Sequence, residues 1–239
     1  MSIWNRIGEF VNRIASSTAC SLSDIVEGVR TIFAGDPDLR RRVAFSVAMI
    51  ALSAKMAKAD GVVTCDEVRA FYEIFDVPAR EARNVARLYD IAKADVAGFE
   101  AYAQRMAGLC GSGRPNSPML EDVLDGLFHV AKADGLLHRL ENVFLHRIAE
   151  IFRIEEHRYQ TILARHADMG EGDPYRVLGI ERGSPFEDIK KRYRKLVAHN
   201  HPDRLIARGV PQEFIRIATA RIAAINTAYE MIERGLRQA

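Results

Sequence analysis

Histidine and acidic side chains lie close together at residues 199–210, where the sequence reads HNHPDRLIARGV. Two imidazoles and a carboxylate, from His199, His201 and Asp203, fall within five positions. Such groups can bind a transition metal or transfer protons, and a stiff exposed turn can also be a surface that another protein binds. Three kinds of site are therefore open: a metal site, a catalytic site and a docking site.

The spacing of these residues disfavours the first two kinds of site. Side chains at positions i and i+2 of a helix point to different sides, so His199 and His201 do not converge on one ion, and Pro202 stiffens the turn. A general acid–base pair of His201 and Asp203 needs a nucleophile and a pocket, and no nearby motif supplies them. We therefore predict no catalytic residue and no cofactor, and we do not expect the chain to be an enzyme.

A basic amphipathic helix is predicted directly before the turn, over FEDIKKRYRKLVAHN at 186–200. Ser184 and Glu187 can form its N-terminal capping box, and Pro202 restricts His201 to an extended conformation that ends the helix. Burying the apolar stripe leaves the cations to face water or a partner. The stripe consists of Phe186, Ile189, Tyr193, Leu196 and Val197, and the cations are Lys190, Lys191, Arg192, Arg194 and Lys195.

A second apolar stripe follows the turn and predicts a packing partner for this helix. Two helices that face each other across apolar stripes form an antiparallel hairpin, with residues 201–203 at its tip. The short helix DPYRVLG can pack Tyr175 and Leu178 beneath the hairpin. The second stripe consists of Phe214, Ala218, Ile222, Ile225, Tyr229 and Ile232.

The motifs DPYRVLGI, KKRYRKL, HPD and INTAYEMI, in this order and at these distances, resemble the J-domain of the DnaJ co-chaperones over residues 173–234. The resemblance implies docking on a DnaK-type chaperone and stimulation of its ATP hydrolysis, with the catalytic residues in the partner. It assigns partner binding to His201, Pro202 and Asp203 and to the five helix cations. The segment RLIARGVPQEF is longer than in DnaJ, and Ile222 stands where many J-domains have an aromatic residue.

Positive charge is concentrated in the same part of the chain. The 239 residues have a net charge of only +2, yet residues 173–239 contain 13 Lys/Arg against 8 Asp/Glu. A basic C-terminal part favours an acidic partner, either a protein face or a nucleic acid. Nucleic-acid binding by the basic helix is the alternative function, and the HPD triplet with its flanks disfavours it.

The N-terminal part contains an internal repeat. AKADGVVTCDEVRAFYEIF begins at Ala57, and AKADGLLHRLENVFLHRIAEIF begins at Ala131. Each unit has the end of a helix, an Asp-Gly turn, and a second helix with a glutamate at the same offset. EF-hand calcium binding is disfavoured, because the third ligand position falls on Lys58 and Lys132, and an ammonium group opposes a cation.

The twin units resemble the TerB (tellurite-resistance) fold, an all-helical domain with internal pseudo-symmetry. In that family acidic residues near the turn are suspected of binding metal, and Asp60, Glu67, Asp134 and Glu141 match that pattern. The same residues can instead serve as turn and cap groups, as in the capping box of Thr64 and Glu67. No metal is assigned, and these four acids are the candidates.

A J-domain that follows a TerB-like domain, together with the longer HPDRLIARGVP form, resembles the DjlA family, whose members usually carry one N-terminal membrane span. We therefore predict an all-α protein. Its parts are an amphipathic N-terminal segment (1–20), a TerB-like helical domain (21–168), a linker (169–172) and a J-domain (173–239). The TerB-like domain is expected to bind a client or ligand or to regulate the J-domain, and a stress-sensing interaction protein is the alternative.

The N-terminal segment and the cysteines bear on location. The apolar run at 43–54 is too short to cross a bilayer and predicts a buried helix. Cys20, Cys65 and Cys110 stand far apart, as in a reducing compartment. The cytoplasm is the predicted location, and a peripheral position at the inner face of the cell membrane is the alternative. In that case Trp4 would lie among lipid headgroups, whereas otherwise the N-terminal helix packs on the body through Ile3, Trp4, Ile7, Phe10, Val11 and Ile14.

Overall fold

Helices form the whole architecture in this computed structural model, which describes residues 3–14, 21–59, 72, 77–95, 97–110, 113–132, 135, 137–166, 173–212 and 215–238. No strand occurs in these ranges, and the all-α prediction is confirmed. We call α1–α8 the body and α9–α12 the C-terminal hairpin. The helices are α1 Ile3–Ile14, α2 Leu22–Ile32, α3 Pro37–Ala59, α4 Ala82–Ala94, α5 Phe99–Cys110, α6 Pro118–Ala131, α7 Arg139–Ile151, α8 Glu156–Arg165, α9 Pro174–Leu178, α10 Phe186–His199, α11 Pro202–Ala207 and α12 Ile215–Gln238.

Helix α3 is the centre of the body. Every residue from Val43 to Ala57 is buried, because a helix that is apolar on all sides must be surrounded by other elements. Helices α1, α2, α4, α5, α6 and α7 all contact it. Lys55 is enclosed too, and its Nζ donates to the backbone oxygens of Asp95 at 2.9 Å and Ala97 at 2.7 Å. The prediction of a buried core helix is confirmed, and among the described helices none is long and apolar enough to span a bilayer.

Helix α1 belongs to the same core. Ile3, Trp4, Ile7, Phe10 and Val11 are all less than 5% exposed. The helix contacts α2, α3 and α4. Packing on the body is therefore the arrangement of this segment, and a Trp4 with no exposed surface is not compatible with a place among lipid headgroups.

The second unit of the internal repeat forms the pair of helices α6 and α7. Glu141 is buried, and its Oε2 accepts a hydrogen bond of 2.9 Å from the backbone N–H of His138, the residue before α7. Glu141 therefore caps α7, which is one of the two roles, capping or metal binding, that the sequence suggests for it. The other three acidic candidates, Asp60, Glu67 and Asp134, lie outside the described residues.

The C-terminal hairpin has a small apolar core of its own. Tyr193 of α10 and Tyr229 of α12 stack with ring centroids 4.2 Å apart. The stripe of α10 therefore faces the Ile225-to-Ile232 part of the second stripe, and α9 packs beneath them. Ala218 of the second stripe is buried in the core of the body instead, and Phe214 lies outside the described residues. The buried members of this core are Val177, Leu178, Ile189, Leu196, Ile225, Ala228 and Ile232.

Two local features of the hairpin differ from the sequence-based expectation or add to it. Ser184 does not cap α10, because its hydroxyl donates to the backbone oxygen of Glu181 at 2.7 Å and the helix begins at Phe186 without a side-chain cap. A further short helix, α11, begins within the HPD triplet, with Pro202 at its first position, and continues into the segment that follows. Proline fits there because the first helical N–H needs no partner within the helix.

Helix α9 ends where α8 and α10 approach it closely. Asp173 caps its start by accepting a hydrogen bond from the Tyr175 N–H at 3.1 Å, and Gly179 ends it with a φ of 62°. A Cβ at Gly179 would lie 3.1 Å from Nη2 of Arg192 and 3.2 Å from Oγ1 of Thr161. Both the backbone conformation and the close contacts therefore favour glycine at this position.

Candidate functional site

The HPD triplet, which we call the HPD tip (His201, Pro202 and Asp203), lies on the surface at the start of α11. The imidazole Nδ1 of His201 accepts a hydrogen bond of 3.3 Å from the Asp203 N–H. The side chains of His201 and Asp203 are 55% and 86% exposed. Both side chains are therefore accessible to a partner molecule.

The cations of α10 are divided between solvent and the interior. Lys191, Arg194 and Lys195 are exposed, whereas Lys190 is half-buried. Arg192 is also half-buried, and its Nε donates to the backbone oxygen of Leu178 at 2.9 Å. Arg192 is thus bound to its own domain rather than turned fully to the solvent.

The HPD tip and the basic helix share one surface. A shallow depression is lined by Tyr193, Arg194 and Val197 of α10 and by His201, Asp203 and Arg204 at the tip. The structure therefore brings the predicted partner-binding residues of the tip next to Arg194. An acidic or polar protein face can contact both in one interface.

A buried ion-pair network lies directly behind the HPD tip. Arg221 of α12 donates from Nη1 to Asp122 at 2.7 Å, and from Nε and Nη2 to Asp125 at 3.0 and 2.9 Å. Its Nη1 also donates to Oδ1 of Asn200, the residue before His201, at 2.9 Å. All four residues are buried. Two carboxylates of the body thereby hold the flank of the HPD tip through one guanidinium group.

Arg208 also connects the residues before the HPD tip to the body. It donates from Nη2 to both oxygens of Asp122, at 2.9 and 3.2 Å, and from Nη1 to the backbone oxygen of His199 at 3.2 Å. Burial lowers the pKa of His199, and the neighbouring Arg208 adds to that effect. Apolar contacts continue the interface, because Leu205, Val210, Ile217 and Ala218 are buried in the core of the body.

Electrostatics keep the central pair of this network charged. Burial alone would raise the pKa of Asp125, but Arg221 and the hydrogen bond from His166 outweigh it and hold that pKa well below its ordinary value. Burial lowers the pKa of His129 to about 4, with a further contribution from His166. His129 is therefore neutral at pH 7, while Asp125 and Arg221 form an ion pair.

A potential metal-ligand group occurs within the same network. Asp125, His129 and His166 each place one ligand atom within 4.8 Å of the others, and within the described part of the chain they are the one such group of three. Arg221 binds the Asp125 carboxylate, and Arg165 lies 3.6 Å from it. Two guanidinium groups beside the shared ligand repel a cation, so these residues fit an ion-pair network better than a metal site.

Sequence reasoning missed the residues of this network. Asp122 and Asp125 stand among the buried apolar residues of the helix PMLEDVLDGLFHVA, and Arg221 stands on the face of α12 that also carries Ala218 and Ile225. Charged residues at positions that a helical pattern assigns to the core were the available signal. Such residues are rarely buried unless they are paired with one another.

The comparisons with known proteins agree with this two-part organisation. Residues 46–164 match the family described as "Tellurite resistance protein TerB", and residues 173–235 match the DnaJ domain. No solved structure matches the chain significantly.

Three relatives named "Co-chaperone protein DjlA" align with most of the chain. The protein from Photobacterium profundum is 28% identical over 220 residues, covering 81% of this chain and 78% of the relative. The one from Coxiella burnetii is 28% identical over 200 residues (75% and 73%), and the one from Vibrio cholerae is 26% identical over 244 residues (87% and 84%). The similarity therefore extends through both matched domains.

Proposed function

Because the chain is a DjlA-like member of the J-domain co-chaperone family, with a TerB domain before its J-domain, we propose that it docks on a DnaK-type chaperone and stimulates that partner's ATP hydrolysis. The observation that supports this proposal most is the shared surface of the HPD tip and α10. The exposed groups of His201 and Asp203 lie beside Arg194 in one depression. In this proposal the C-terminal hairpin is the docking J-domain.

The residues divide into two roles. The exposed cations Lys191, Arg194 and Lys195 attract and orient an acidic face of the chaperone, and the HPD tip makes the specific contacts. ATP and the residues that hydrolyse it belong to the partner. This chain acts by binding one conformation of the partner better than another, which shifts the partner's conformational equilibrium.

The decisive experiment measures ATP turnover by a purified DnaK-type chaperone with and without this protein, its His201→Gln variant and its His157→Gln variant. Glutamine keeps the polarity of an exposed histidine, and its side-chain oxygen can accept the hydrogen bond that Nδ1 of His201 accepts from the Asp203 N–H, so the His201→Gln change should alter stability by no more than about 0.5 kcal/mol. We expect stimulation by the wild type, loss of stimulation in His201→Gln with an unchanged Tm, and full stimulation in His157→Gln. His157 is the control because it is also an exposed histidine, at 71%, but lies on α8 of the body rather than in the C-terminal hairpin.

Three outcomes would contradict the proposal. One is hydrolysis of ATP by the wild type alone, and another is a chaperone turnover that the wild type leaves unchanged. A third contradictory result is a His201→Gln variant that loses stimulation only together with several degrees of Tm, since this would make His201 a structural residue.

The proposed location is the cytoplasm, where the ATP used by the proposed partner is available. Cys110 is buried as a free thiol, in agreement with a reducing compartment. Cell fractionation tests this point, and protein retained in membranes after washing at high salt would contradict it.

A further inference from the structure

A cleft of about 530 Å³ lies between the body and the J-domain. Its volume is within the range of about 300–1,000 Å³ that is common for small-molecule sites. Helices α6 and α8 of the body form one wall, and α10 with the turn at Gly179 forms much of the other. A ligand in this cleft would therefore touch both domains at once.

Positive charge dominates the walls of the cleft. The two acidic lining residues are already paired, Glu121 with Arg158 at 2.8 Å and Asp122 with Arg221 at 2.7 Å. Within the described part of the chain, Lys195 and Arg204 have no carboxylate within ion-pair distance. The six cationic residues that line the cleft are Arg158, Arg165, Arg192, Lys195, Arg204 and Arg221.

Arg165 has hydrogen-bonding capacity that the protein does not use. Its side chain is only 12% exposed, and its buried Nε has no hydrogen-bond partner among the described residues. Burial lowers the pKa of Arg165 to about 10, although Asp125 opposes this shift, and Arg221 and Arg192 add repulsion. An anion placed beside Arg165 and Arg192 would relieve this repulsion and accept hydrogen bonds from N–H groups that the protein leaves unused.

We infer that this interdomain cleft binds a small polyanion that carries phosphate groups, held by Arg165 of the body and by Arg192, Lys195 and Arg204 of the J-domain. Guanidinium groups match phosphate oxygens in a two-pronged geometry, and four cationic groups suit a ligand with several negative charges. The two walls enclose the site, which favours a small ligand over a nucleic-acid duplex that needs an open face. The ligand joins the two domains and stabilises their docked arrangement, and this conclusion does not depend on chaperone docking.

Titration of the full chain with inorganic pyrophosphate and with tripolyphosphate tests the inference. Calorimetry should show saturable binding of one anion per chain, with tighter binding of tripolyphosphate, and the Tm should rise with ligand concentration. Sodium chloride at the same ionic strength should not reproduce the rise in Tm. Absence of saturable binding, or tighter binding of a single-stranded oligonucleotide that increases with its length, would overturn the inference.

A charge-matched pair of variants tests the position of the site. The double variant Arg192→Gln with Lys195→Gln should bind tripolyphosphate about tenfold more weakly, since it loses charge-assisted hydrogen bonds. The control variant Arg234→Gln with Arg237→Gln removes the same charge from exposed positions of α12 and should bind within about twofold of the wild type. Equal weakening in both variants would show unspecific attraction and overturn the proposed site.

The folding of the test variant is checked by circular dichroism without ligand, because Arg192 also bonds to Leu178. If the double variant does not fold, the single variant Lys195→Gln replaces it. Lys195 is exposed, so this change leaves the fold intact and should weaken tripolyphosphate binding about threefold. Unchanged binding in Lys195→Gln would remove Lys195 from the site and contradict the inference as stated.

Discussion

Replacing Arg221 with leucine should weaken the attachment of the J-domain to the body more than any surface change. Arg221 makes four hydrogen bonds of 2.7–3.0 Å to Asp122, Asp125 and Asn200. Leucine can occupy the space of the hydrocarbon part of arginine, but it leaves two buried carboxylates without their shared cation. The result is uncompensated negative charge in the interior.

The expected loss of stability depends on which partners the two carboxylates keep in the variant. Removing one partner of a buried ion pair costs about 3–5 kcal/mol. Asp122 keeps Arg208 at 2.9 Å, and Asp125 keeps His166 at 3.3 Å, so the lower end of that range applies. We expect the free energy of unfolding at pH 7 to fall by about 3 kcal/mol. The Tm should fall by about 6–12 °C, since each kcal/mol corresponds to about 2–4 °C in a chain of this size.

The loss of stability caused by Arg221→Leu should also depend on pH. In the wild type Asp125 faces Arg221, Arg165, His129 and His166, and its pKa lies well below the ordinary value although burial opposes this. A carboxylate with a lowered folded-state pKa stabilises the fold above its unfolded-state pKa, and this stabilisation is lost as the pH falls through the folded-state pKa. Without Arg221, burial dominates and the pKa of Asp125 rises. The variant can then protonate Asp125, and its deficit should be smaller near about pH 4.5 than at pH 7.

Urea denaturation followed by circular dichroism at both pH values measures this deficit. Arg234→Leu is the control on the same helix, because Arg234 and Glu230 form an exposed pair at 3.1 Å. That exposed pair should contribute less than about 1 kcal/mol. The reasoning would be refuted if Arg221→Leu lowered the free energy of unfolding by as little as the control does. It would also be refuted if the decrease were equal at the two pH values.

Three further changes test other parts of the structure. Replacing Lys191, Arg194 and Lys195 with alanine should weaken chaperone docking and reduce its salt dependence while the Tm stays within about 2 °C, and a binding titration at several salt concentrations would show this. Trp4→Ala should lower the free energy of unfolding by about 3–5 kcal/mol in lipid-free buffer, because Trp4 is fully buried; a deficit below 1 kcal/mol in the same denaturation experiment would contradict its core position. Gly179→Ala should cost about 1–3 kcal/mol, from its φ of 62° and its close contacts, and an unchanged Tm would contradict this.

The C-terminal hairpin could be predicted from sequence because its signals are local. Ile189 and Leu196 are seven residues apart on α10, and Ile225 and Ile232 have the same spacing on α12. Such spacing places side chains on one helix face whatever else the chain does. The start of α10 was predicted less well, since a serine hydroxyl can accept a hydrogen bond from a helix N–H or donate one to a nearby backbone oxygen, and Ser184 donates to the Glu181 oxygen. Competition between such alternatives is decided by the three-dimensional arrangement.

The contacts behind the HPD tip could not be predicted in the same way. Arg221 and Asp125 are 96 positions apart, and no periodic pattern joins residues at that distance. The sequence shows only that both stand among apolar neighbours on their own helices. Which carboxylate meets which guanidinium depends on how α6 and α12 pack. Asn200 is a further example, because its burial follows from its bond to Arg221 rather than from its own side-chain type.

The same 96-residue separation sets an order of events during synthesis of the chain. At about 5–20 residues per second, Arg221 is made roughly 5–20 seconds after Asp125. Throughout that interval the acidic face of α6 must remain hydrated, and Gly126 lacks the Ile217 side chain that packs on it in the finished protein. Helix α12, which is made after the body, therefore completes the interior of an earlier part of the chain. A nascent chain halted before α12 exposes an unfinished apolar and acidic face, which is the kind of surface that chaperones bind.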